Sequence, residues 1–104
     1  MTRQEVLAWL DERRPAPPPA LREHLAAAVG DAPDPLPEHL ARLGSALLAG
    51  VARRPAGGRE VALDLLAADA FVTYAFEAQA EAAVTGLASL VAQIAAGERD
   101  AAAP

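Results

Sequence analysis

From Arg59 to Pro104 the chain has no intervening proline, and across that run its large apolar residues hold one helical phase. Leu65, Leu66, Val72, Phe76, Val84, Leu87, Leu90, Val91 and Ile94 share one sector of a helical wheel, with Ala80 and Ala83 filling it between them. The phase never jumps, and Gly86 lies on the other side. The pattern therefore predicts one continuous helix from about Arg59 to Ala96 rather than two. Gly97 is the expected stop, with residues 98–104 as a disordered tail and 1–97 as a single domain. At 1.5 Å per residue such a helix is roughly 57 Å long. A compact domain of this size has a radius of gyration of only about 13 Å, so the helix must overhang any core one chain can build.

The rest of the chain is punctuated by proline and glycine into three shorter helices. Thr2 with Glu5 is a capping box for a helix over about Arg3–Arg13, with Val6, Leu7, Trp9 and Leu10 on its apolar face and Pro15 at its end. Pro15–Ala20 is a polyproline spacer. A second helix is predicted over about Pro19–Val29, closed by Gly30 as a C′ residue. A third reaches about Arg54, with Leu36, Leu40, Leu43, Leu47, Leu48 and Val51 on one face and Glu38, Arg42, Ser45 and Arg53 opposite. No strand pattern occurs. The expected fold is all-α: a small bundle of three short helices and one long C-terminal helix, completed by dimerisation. Within the long helix Leu63, Phe71 and Tyr74 lie opposite the main stripe, so its first half is apolar nearly all round and its second half one-sided.

The tetrapeptide EHLA occurs at Glu23–Ala26 and again at Glu38–Ala41, and it holds both histidines of the chain. A metal site needs convergent ligands, whereas adjacent Glu and His diverge by about 100° on a helix. Neither Glu-x-x-His nor His-x-x-x-His is present. The repeat reads as scaffold: leucines four apart toward the core, Glu in the first turn at the positive end of the helix dipole, and His toward solvent.

Composition bounds the function classes. The net charge of −5 argues against binding nucleic acid or an anionic membrane. The absence of cysteine removes thiol chemistry and fits a cytoplasmic protein. Asp64 and Asp69 interrupt the apolar run 61–76 and argue against a transmembrane span there. Glu77 and Glu81 are expected in solvent. No catalytic set, metal site or cofactor motif can be assembled from local spacing, so enzyme is the last of the classes considered.

Three sets of residues remain as candidates. Arg53, Arg54 and Arg59 surround a Gly-Gly turn before the long helix, where they could hold an anion or a phosphorylated ligand. Val84, Leu87, Val91 and Ile94 are spaced like a coiled-coil seam and are the candidate self-association surface. Asp69 is the one charge within the stripe; it is expected to be buried and satisfied, with Thr73 one turn on as a hydrogen-bond donor. The leading expectation is a non-enzymatic helical interaction or structural module, a homodimer or an accessory subunit of a larger assembly. The alternatives are a small acidic regulatory protein masking a basic partner, and an anion binder using the arginine loop. Its expected partner is itself or another protein, with no nucleic acid and no membrane.

Overall fold

A computed structural model describes the backbone of residues 1–55 and 57–102, and side chains as far as Arg99 apart from that of Ala56. The fold is all-helical, with no strand among the described residues. Four helices follow in order: α1 (Arg3–Asp11), α2 (Pro19–Ala28), α3 (Leu36–Ala52) and α4 (Arg59–Ala102).

α1 begins at the expected capping box: Thr2 Oγ1 accepts from the Glu5 amide, and Glu5 Oε1 accepts from the Thr2 amide. α2 and α3 both start on prolines in the first turn, where the missing amide hydrogen has no helical partner to lose. α2 ends differently from the expectation. Val29 turns extended at ψ 126° and Gly30 has no positive φ, so no left-handed glycine closes this helix. Arg3 closes it instead: its Nε and Nη2 donate to the carbonyls of Val29 and Ala26. The Met1 ammonium donates to the carbonyls of Ala32 and Asp34, and the Arg3 amide donates to Asp31 Oδ1 at 2.6 Å. The start of α1 is thereby tied to the α2–α3 linker.

α3 and α4 form the main packing pair. Gly57 and Gly58, at φ 109° and 94°, reverse the chain between them in a conformation only glycine adopts freely. Gly44 sets their separation. A Cβ there would lie 2.9 Å from Val72 Cγ2 and 3.2 Å from the Ala68 carbonyl oxygen, so the helices cross where α3 has no side chain.

The core contains Val6, Leu10, Leu25, Val29, Leu40, Ala67, Phe71, Ala75 and Ala78. Its α4 members belong to the face with Phe71 and Tyr74, not to the stripe of large aliphatics that the phase argument places inward. That is the chief correction to the sequence reading. Gly44 lets α3 approach α4 closely along Ala68, Phe71 and Val72, and Phe71 is the one large buried side chain of α4 among the described residues. Leu48 of α3 is likewise exposed.

α4 is 44 residues long, about 66 Å at the helical rise. It runs on through Gly97, because one glycine in an alanine-rich stretch costs only about 1 kcal/mol and no proline intervenes before Pro104. Residues 98–102 are thus helical rather than a disordered tail, and the expected tail's last two residues, 103 and 104, lie outside the described set. The molecule measures 72 × 25 × 20 Å, with a radius of gyration of 18.6 Å. α1, α2 and α3 surround only the first half of α4, and every residue from Gln79 to Ile94 is exposed.

Candidate functional site

The most distinctive surface is the aliphatic stripe of α4. Leu65, Leu66, Val72, Phe76, Val84, Leu87, Leu90, Val91 and Ile94 are all exposed, from 41% at Val72 to 73% at Phe76, and Leu48 of α3 adjoins them. All four residues of the expected self-association seam, Val84, Leu87, Val91 and Ile94, lie on it. On the bundle half it borders two grooves between α3 and α4. One, of about 300 Å³, is lined by Gly44, Ser45, Leu48, Leu65, Asp69 and Val72 among others. The other, of about 250 Å³, includes Pro37, Ala41, Val72 and Phe76.

Asp69 and Thr73 stand on this exposed stripe. Their expected burial is corrected, and the reason is the phase of α4: the face that carries them points away from the core. Among the described residues neither makes a side-chain hydrogen bond or ion pair.

The charged residues that organise the molecule are elsewhere. Asp64, on the core face of α4, receives His24 Nε2 on one carboxylate oxygen and Arg54 Nη2 on the other. These hydrogen bonds, His24 first and Arg54 second, hold its carboxyl below the ordinary aspartate range. The cluster joins α2, the end of α3 and α4. It also disperses the expected arginine trio: Arg54 is committed to Asp64, while Arg53 and Arg59 are not brought to it. The whole Arg53–Arg59 loop includes Ala56, outside the described residues.

A second clasp joins α1 to the middle of α4. Arg13 Nη1 donates to Glu81 Oε1 at 2.7 Å and to Glu77 Oε2 at 3.3 Å. Its guanidinium lies 3.7 Å over the Trp9 ring, and Trp9 Nε1 donates to Glu81 Oε2 at 3.0 Å. Trp9 meets Tyr74 edge-on at 5.9 Å. Glu77 and Glu81 therefore bridge helices rather than simply facing water. Hydrogen bonds from Arg13 and then Trp9 hold the Glu81 carboxyl below the usual range.

Both depressed carboxylates have the same consequence. A carboxyl whose folded value lies below its unfolded value contributes stability above the unfolded value, and that contribution is lost as pH falls through the folded one. The chain is expected to lose stability below about pH 4. Asp64→Asn should cost about 1 kcal/mol at neutral pH and flatten the acid decline, read by urea unfolding between pH 3 and 7.

The two EHLA copies are not equivalent. Leu21, Leu25, Leu36 and Leu40 all pack in or against the core, as expected of scaffold. Glu38 lies in the first turn of α3, but Glu23 lies beyond the first turn of α2. The histidines do not point to solvent: His24 is partly buried against Asp64, and His39 is 2% exposed. His39 Nδ1 is buried without a hydrogen-bond partner. His39→Leu is accordingly expected to leave thermal stability unchanged or raise it, because an apolar side chain removes an unsatisfied polar atom. A loss above about 2 kcal/mol in chemical denaturation would overturn that assignment.

Among the described residues no three His, Asp or Glu side chains converge on a point that could hold a metal ion. By length and composition the segment Arg59–Arg99 would also serve as a membrane-crossing helix, and its apolar window is wholly unburied. The sequence argument from Asp64 and Asp69 covers only the first half of α4; residues 82–97 carry no charge.

No protein-family model matches the chain, and no curated protein or solved structure is significantly similar to it.

Proposed function

We propose that this chain is a non-enzymatic helical interaction module that associates through the aliphatic face of α4, as a homodimer or as an accessory subunit of a larger assembly. The observation that supports this is the exposed stripe itself. It spans nine large side chains on one helix, and among the described residues its second half has no other helix beside it. Monomeric soluble proteins rarely leave contiguous apolar patches larger than a few hundred Å² in water. The core does not use this face, so association and folding are separate tasks for α4. Val84, Leu87, Val91 and Ile94 repeat at intervals of three and four, the spacing at which two helices interlock.

Sedimentation velocity over a range from low to high micromolar tests the reading. The expected result is a concentration-dependent shift to twice the 10.7 kDa chain mass. A monodisperse monomer throughout would remove self-association. Stoichiometric recovery of a second protein on purification from the native host would then identify the accessory-subunit form.

A further inference from the structure

We propose that two copies pair antiparallel, their α4 helices crossing at Ala80, so that the overhanging half of each seats in the α3–α4 grooves of the other. This rests on the self-association reading and specifies its geometry.

Counted outward from Ala80, the seam has a mirror order. Phe76 and Val84 stand 4 residues away, Thr73 and Leu87 stand 7, Asp69 and Val91 stand 11, and Leu66 and Ile94 stand 14. Reversing the helix about Ala80 lays the series on itself, as a two-fold interface requires. Phe76 then meets the partner's Val84, and Leu66 meets the partner's Ile94. The smallest side chain sits at the crossing, where the helix axes come closest. The same operation solves both exposure problems at once. The bundle half has open grooves between α3 and α4, the overhang has exposed aliphatic knobs, and each covers the other.

Charge selects this orientation over the parallel one. A parallel, in-register pair sets Asp69 against Asp69 inside the apolar contact, and like charges so juxtaposed cost several kcal/mol. The antiparallel pair separates these carboxylates by 2 × 11 residues, about 33 Å. It also brings Arg59, 21 residues before Ala80, within one turn along the axis of the partner's Glu98, 18 residues after it. Neither has a side-chain partner within its own chain among the described residues.

The area is sufficient. Ten large apolar side chains, each 41–73% exposed, present on the order of 1,000 Å² per copy, against about 800 Å² per partner in a standard stable interface. A bilayer is the weaker occupant. The charge-free run between Glu81 and Glu98 is 16 residues, about 24 Å of helix against a hydrocarbon core of about 30 Å. Its other face carries Thr85, Ser89 and Gln93.

The chain has no cysteine, so single cysteines can be placed on a clean background. Gln93→Cys and Ser89→Cys are exposed and off the stripe. Each is spin-labelled and measured by pulsed electron–electron distance spectroscopy, with the mass checked in parallel. The antiparallel pair predicts separations along the axis of about 39 Å for position 93 and about 27 Å for position 89, from 2 × 13 and 2 × 9 residues. Two distances that are equal, with no difference between positions 89 and 93, on protein of dimer mass, overturn the orientation and leave self-association standing. A monomeric mass with no intermolecular distance overturns both. Monomer that co-sediments with phosphatidylcholine vesicles assigns the stripe to a bilayer and also overturns the proposal.

Discussion

Replacing Leu87 and Val91 together by glutamate is expected to abolish self-association and leave the chain folded. Both side chains lie on the overhanging half of α4, 62% and 58% exposed, and no other helix of the chain packs there. Their loss therefore removes nothing from the core. In an assembly they are covered, and each buried aliphatic side chain contributes about 1.5–3 kcal/mol. A two-fold interface loses four such side chains and must desolvate four carboxylates in their place. The weakening should exceed 1,000-fold in the dissociation constant, since about 1.4 kcal/mol is worth a factor of ten. Sedimentation velocity reads the association, and circular dichroism reads the fold. A variant that remains dimeric would move the interface off the stripe. A variant that unfolds would mean that the stripe belongs to the fold itself.

Phe71→Ala should have the largest effect on folding. Phe71 is fully buried and, among the described residues, is the only large side chain that α4 contributes to the buried core. Its neighbours along that face, Ala67, Ala75 and Ala78, are too small to close over the space it would leave. Truncations of this kind cost about 3–5 kcal/mol. A whole domain is commonly stable by only about 5–15 kcal/mol, so the variant should be largely unfolded at 37 °C or near its midpoint there. Because association stabilises the folded state by mass action, the comparison belongs in the Leu87→Glu, Val91→Glu background at fixed concentration. A cost below about 1 kcal/mol in urea unfolding would show that the core lies elsewhere.

Much of the fold was legible because its punctuation is local. Thr2 and Glu5 cap within one turn, prolines open α2 and α3, and the Gly57–Gly58 reversal precedes α4. The continuity of α4 was readable from its unbroken phase. Which face of α4 turns inward was not. A helix with two apolar faces must bury one against its own chain and keep the other for something else, and hydrophobicity alone ranks the aliphatic face first. The decision is made by shape: Gly44 on α3 lets α4 approach closely along Ala68, Phe71 and Val72, and this seats Phe71 with the small residues Ala67, Ala75 and Ala78 in the core. That signal lies in two distant segments and appears in neither alone. Asp69 was misplaced for the same reason. The clasps were invisible for a further one, since Arg13 meets Glu77 and Glu81 across 64 and 68 residues of chain, and no periodicity links them.

Trp9 is the single tryptophan of the chain. Its indole is held at the α1–α4 clasp by the Arg13 guanidinium, the Glu81 carboxylate and the Tyr74 ring. Its fluorescence is therefore a built-in optical reporter of bundle opening, to be read beside an independent measure of mass. Light scattering and tryptophan emission, followed in one titration, would resolve dissociation from unfolding without any introduced dye.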